Sequence, residues 1–240
     1  MTEHVSYPGR DLEAMSFAVN YHKWILDEFR PFFGKSMVEV GAGTGSFSEL
    51  LIKESIDRLT LVEPSEMFHI LSTEVVGGDV QVNFEQALFA QVRETISERD
   101  RPDSIIYVNV LEHVEEDLEE LKMIHETLEP GGRCFIFVPA LMSLYGRFDE
   151  RIGHFRRYTK PEIEQKCREA GFRILVSKYF DLAGIAPWWV KYKLLRSDSL
   201  GSGSVTLYDK FAVPVTRFIE SAMTPPVGKN ILIVCEKSVG

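Results

Sequence analysis

The stretch V-E-V-G-A-G-T-G-S-F at residues 38–47 constrains this chain more than any other. An apolar, β-branched run ends in three alternate glycines, Gly41, Gly43 and Gly45, and a helical pattern starts at once. That order reads as strand, tight turn and helix start. Glycine is needed where the backbone takes positive φ or lets a ligand come within contact distance, so the alternation predicts a chain bent around something bound.

The rest of the chain repeats the rhythm. Strands are predicted at 37–40, 59–63, 80–84, 105–109, 134–138, 174–177 and 231–235. Between them helical patterns fall at 11–29, 46–54, after Pro64-Ser65, at 89–98, from the acidic run 115–120 and at 160–170. Such alternation predicts an α/β fold, a doubly wound, mostly parallel sheet with its ligand at the carboxyl ends of the strands. With 240 residues, 45% of them hydrophobic, one core suffices. We read a single domain over 1–240, divided into an N-terminal covering helix (11–34), a cofactor-binding core (35–180), a cap insertion (181–229) and a last strand (230–240). The cap carries Trp188, Trp189, Tyr192 and the S-L-G-S-G-S loop at 199–204, and is too long to be a mere connection.

Charge narrows the partners. A net charge of -9 argues against nucleic acid, whose phosphates demand a basic face. Three scattered cysteines, Cys134, Cys167 and Cys235, read as reduced core residues and suit a cytoplasmic setting. No apolar run has the length of a membrane span, and the start has no signal-peptide pattern. Residues 145–160 hold five basic side chains against two acidic ones, and 181–229 hold six against four. These segments are expected to face an anionic acceptor, with Arg156, Arg157, Trp188 and Trp189 touching it. An apolar tail on that acceptor would meet the aromatic cap, and the cap itself could rest on a membrane surface through Lys191, Lys193 and Arg196. The acidic run 115–120 is expected to be a solvated helix start.

The turn chemistry separates two cofactor classes. A dinucleotide fingerprint would place its third glycine at position 46, which is Ser46, and here the glycine is Gly45. Glu39, two residues before Gly41, suits a cationic amine better than a pyrophosphate, and Glu63 can accept hydrogen bonds from two ribose hydroxyls.

With these features the chain resembles the class I S-adenosylmethionine-dependent methyltransferases. V-E-V-G-A-G-T-G looks like their first motif, L-V-E-P-S their ribose acid, N-V-L-E-H-V the end of their fourth strand and L-E-P-G-G-R-C-F-I-F-V-P their fifth. More narrowly, D-E-R-I-G-H-F-R-R-Y-T-K-P-E-I and P-P-V-G-K-N-I-L-I-V-C-E-K are similar to a bacterial subgroup often encoded beside or fused to glycosyltransferases. The resemblance implies a seven-stranded Rossmann-like sheet with an antiparallel last strand. It implies S-adenosylmethionine as cofactor, with no metal, and methyl transfer to an O or N atom of a small-molecule or glycolipid-like acceptor. Carried over, Glu39, Gly41, Gly43 and Gly45 would line the methionine part, Glu63 would hold the ribose, and Asn109 and Tyr21 would close on the methionine end. Gln86 and the backbone of Ala87 would meet the adenine, with Asp79 as the alternative.

A sulfonium donor is already activated, so alignment supplies most of the acceleration and a base is optional. His154 and His113 are the candidate bases, with Tyr158 near the first; a packed structural role is the competing reading for either histidine. Two other readings remain: a relative that binds the cofactor or a partner without turnover, and an NAD-dependent reductase.

Overall fold

The computed structural model describes residues 18–194 and 202–238. Residues 11–17 of the predicted first helix and 199–201 of the glycine-serine loop lie outside the described residues. Seven strands form one sheet: β1 (Ser36–Val40), β2 (Arg58–Val62), β3 (Gln81–Glu85), β4 (Ser104–Val108), β5 (Arg133–Pro139), β6 (Phe172–Phe180) and β7 (Asn230–Lys237). Their spatial order is β3-β2-β1-β4-β5-β7-β6. The first five run parallel, and β7 pairs antiparallel with both β5 and β6. This is the expected doubly wound sheet, with its antiparallel strand next to the edge.

Alternate residues of each strand face opposite sides, and both sides are covered. Met37, Leu61, Ile106, Phe135 and Phe137 share one core with Trp24, Ile25 and Phe29 of helix α1 (Val19–Phe29). Val38, Ile105, Tyr107, Ile136 and Val138 share the other with Leu121, Ile124 and Ile163. Burial on both faces explains why these strands read as continuous apolar runs.

Two local expectations change. The helix after the glycine turn is short, Ser48–Leu51, because the turn itself takes up residues 41–47. The acidic run is not simply solvated: in the helix Asp117–Thr127, Asp117 and Glu120 are both buried, three residues apart on the inner face. Asp117 accepts from Tyr158 Oη (2.8 Å) and from Lys166 Nζ (2.6 Å), and pairs with Arg156 (2.7 Å). Glu120 accepts from Tyr107 Oη (2.6 Å). Three acids of the run, Glu115, Glu116 and Glu119, remain exposed.

The carboxyl edge of the sheet is strained. Asn109, Leu141 and Asp181 follow β4, β5 and β6 and take φ of 55°, 66° and 62°, a region that non-glycine residues seldom enter. The strain lies along the edge where a ligand is expected.

The covering helix is pinned by Trp24, 2% exposed, whose ring lies 3.8 Å from that of Phe180. Trp24→Ala should cost about 3–5 kcal/mol. Urea unfolding should show this as a lower midpoint at unchanged slope.

Candidate active site

The three turn glycines take φ of +71°, +58° and +91° and do three different things. A Cβ on Gly41 would lie 2.4 Å from Val110, and one on Gly45 would lie 2.4 Å from Val75, so these two permit close packing. A Cβ on Gly43 would meet nothing within 4 Å. Gly43 faces open space, and its peptide N–H donates to Glu63 Oε2 at 2.8 Å. The other Glu63 oxygen accepts from the Ser65 N–H at 2.9 Å.

A cleft opens beside this turn, walled by Gly41 to Thr44, Phe47, Asn109, Tyr21 and Trp188, with Glu39 in its lining. Glu39 is buried and accepts from Ser48 Oγ. Burial pushes its carboxyl up to about 8, with the Ser48 bond opposing and the Glu63 charge adding. Tyr21 reaches in from α1, its hydroxyl 3.1 Å from Asp181 Oδ2 and 3.0 Å from Asn230 Oδ1. Burial and the Asp181 charge hold that phenol well above its ordinary pKa, so it stays protonated. Lys229 pairs with Asp181 at 2.9 Å and lies 4.9 Å from the Tyr21 ring centre and 5.6 Å from that of Trp188.

Glu112, His113 and His154 line the same cleft. The histidine rings meet edge to face, 4.5 Å apart. Phe155 N–H donates to the Glu112 carbonyl at 2.9 Å, holding the loop of His154 against the turn Leu111–His113. His154 Nδ1 stands 3.0 Å from Asp149 Oδ1, which also accepts from Arg157 Nε at 2.8 Å. Burial alone would raise Asp149, but the His154 hydrogen bond and the Arg157 charge bring it below its ordinary value. Burial raises Glu112 to about 7 against the pull of His154, and burial with the His154 charge lowers His113 to about 3.

The remaining sequence candidates lie elsewhere. Tyr158 is buried on Asp117 and the Leu111 carbonyl, and Arg156 is paired with Asp117; neither lines the cleft. Arg157 does, but buried and committed to Asp149, with its guanidinium 4.7 Å over Trp188. Trp189 turns outward, 47% exposed, as the next residue along a helix must when Trp188 points in. Gln86 and Ala87 follow β3 at the carboxyl edge without lining the cleft, whereas Asp79 precedes β3 at the other edge. Glu112, Lys229 and Asn230 also line the cleft, beyond the residues expected from the sequence. Their signals were present in N-V-L-E-H-V and in P-P-V-G-K-N, the residues flanking strand ends.

A second, apolar cavity adjoins the cleft and shares Tyr21, Trp188 and Lys229 with it. Pro187, Val205, Leu207, Phe211 and Val213 line it. Leu207 and Phe211 also reach the surface, 63% and 61% exposed, in line with Val215 (59%) and Phe218 (77%). Among the described residues no helix is long and apolar enough to cross a membrane.

The model of a family described as a methyltransferase domain matches residues 2–177. The ubiquinone biosynthesis O-methyltransferase of Aeromonas salmonicida (strain A449) is 26% identical over 114 residues, 47% of each chain. The chain thus spans about half the length of the curated relatives it matches. Among solved structures, the 1,6-didemethyltoxoflavin-N1-methyltransferase of Burkholderia thailandensis, with bound 1,6-didemethyltoxoflavin and S-adenosylhomocysteine, superposes with a TM-score of 0.57. It is 18% identical, covering 96% of this chain and 82% of that one. A SAM-dependent methyltransferase from Archaeoglobus fulgidus gives a TM-score of 0.58 at 17% identity, covering 94% and 98%. The glycine turn, the strand order and the family match agree: the chain belongs to the methyltransferase-domain family.

Proposed function

We propose that the cleft holds S-adenosylmethionine along the glycine turn and presents its methyl group to an oxygen or nitrogen of a small acceptor with an apolar tail. The observation that carries this is the pairing of an open glycine cradle at Gly43 with a buried carboxylate, Glu39, in one cleft. The residues fit the cofactor: the space beyond Gly43 would be filled by its backbone-hugging part, Glu39 would face its ammonium, and Glu63, already shaped by two N–H donors, would accept from its ribose. Gln86 and Ala87 stand at the right edge for adenine, and Asn109 and Tyr21 would close over the methionine end. S-adenosylmethionine supplies a methyl on a sulfonium, activated for in-line displacement. The chain contributes alignment, through the strained Asn109 backbone and the pinned Tyr21, and exclusion of water under Trp188.

For the acceptor, the cluster of Glu112, His113 and His154 supports a hydroxyl that must lose its proton, and the name of the curated relatives points the same way. The adjoining apolar cavity supports a lipid-like tail, and the resemblance to a subgroup encoded beside glycosyltransferases favours a sugar-bearing one. An anionic group on that acceptor would lie near Lys191 and Lys229 at the cavity. The exposed stripe Leu207, Phe211, Val215 and Phe218, flanked by Lys210 and Arg217, suits contact with a lipid surface from which the tail enters.

Two outcomes are expected. At about pH 6.5 Glu39 is protonated in the empty cleft, and seating an ammonium beside it favours the ionised form, so about one proton should leave on binding. Calorimetry of S-adenosylmethionine binding in buffers of differing ionisation heat measures this; Glu39→Gln should abolish the release and weaken binding. No proton release from the wild-type protein would remove Glu39 from the ammonium site. In flotation assays the protein should rise with anionic liposomes, and a Phe211→Glu/Phe218→Glu double variant should stay behind. Absence of the wild-type protein from the lipid fraction would rule out the membrane contact.

A further inference from the structure

Both carboxylate oxygens of Glu112 are buried and have no hydrogen-bond partner, although the residue is 0% exposed and borders the cleft. A buried carboxylate without a partner is costly, so its site is built to receive something. His154 Nε2 faces it at 3.7 Å. That gap is too long for a hydrogen bond. Two atoms each about 2.0–2.2 Å from a shared cation stand roughly 3–4 Å apart, so the spacing suits a metal ion between them. A ligand atom of His113 completes a group whose members all lie within 4.8 Å of one another.

The surroundings have the second feature of a metal centre. His154 Nδ1 is held by the buried carboxylate of Asp149, itself fixed by Arg157 and by the Gly146 N–H at 3.0 Å. This orients Nε2 toward Glu112, in the manner of the outer carboxylates that set the rings of metal-bound histidines. Two imidazoles and one carboxylate leave positions open on a transition-metal ion, and oxygen ligands from a substrate can take them. The three residues come from two segments far apart in sequence, which is why spacing alone conceals them.

We propose that Glu112, His113 and His154 form a site for a divalent transition-metal ion that binds an oxygen of the methyl acceptor. This rests on the acceptor placement given above. Coordination of an acceptor hydroxyl lowers its pKa, so its proton passes to solvent and the oxygen takes the methyl as the carbon–sulfur bond breaks, leaving neutral S-adenosylhomocysteine. The ion would thus do the work otherwise asked of His154 as base, with His154 acting as its ligand. An acceptor with a second oxygen next to the reacting one would chelate the ion through both open positions.

The test is a Co²⁺ titration of the metal-stripped full chain, with neither donor nor acceptor present, followed by visible absorption. Saturation at one Co²⁺ per chain in the micromolar range is expected, without the near-ultraviolet thiolate bands that binding at the buried cysteines would give. Glu112→Gln should weaken binding at least tenfold, with circular dichroism checking its fold. Should that variant not fold, His154→Gln with the same readout serves instead. No saturable binding by the wild-type chain, or equal affinity in a folded variant, overturns the metal site. Binding of S-adenosylhomocysteine is measured in parallel on the wild-type chain. If it binds and Co²⁺ does not, only the metal site falls; if it does not bind, the donor reading falls instead.

Discussion

Two backbone N–H groups from different strand ends, Gly43 after β1 and Ser65 after β2, converge on the single carboxylate of Glu63. These charge-assisted bonds lock the glycine turn to its neighbour, and the remaining geometry of the cleft follows from that lock. Gly41 and Ala42 then donate to the Val62 carbonyl at 2.8 and 3.2 Å, which keeps the turn folded back over the sheet edge. Gly43 is left facing open space because its neighbours are held away from it. A turn of this kind needs three positive φ values, and only glycine takes them without strain.

The electrostatics of the cleft run against the basic picture drawn from composition. Arg157 is matched to Asp149 and Lys229 to Asp181, so these two cations of the cleft lining are neutralised inside the fold, as Arg156 is by Asp117 outside the cleft. Two buried acids, Glu39 and Glu112, remain in the lining, and burial raises both. A cavity lined in this way favours cations. This suits a donor that carries an ammonium and a sulfonium, and it moves any anionic part of the acceptor outward to the cap.

The fold was legible because parallel strands buried on both faces are written as apolar runs, and each turn carries its own glycine or proline. All seven strands were located from that pattern, with β6 longer than expected because its outer residues, such as Arg173, are exposed and do not read as strand. The site was legible where one segment supplies several of its parts, as in Glu39 and Gly43. It was not legible where partners are distant in sequence. Nothing near Tyr158 in the chain indicates that its hydroxyl is taken by Asp117, and nothing near Glu112 indicates that the distant His154 stands against it. Helical phase had the same effect on the acidic run, where the buried pair Asp117 and Glu120 looks in sequence like its exposed neighbours.

The proposed donor pocket would depend on Glu63 twice, as the lock of the turn and as the ribose acceptor. Affinity for S-adenosylhomocysteine, compared by calorimetry between the wild-type protein and Glu63→Ala with circular dichroism confirming the fold, tests this most directly. The variant leaves two buried N–H donors without an acceptor and removes the ribose carboxylate, so affinity should fall at least tenfold. Unchanged affinity in a folded variant would contradict the assignment of the glycine turn as the donor site.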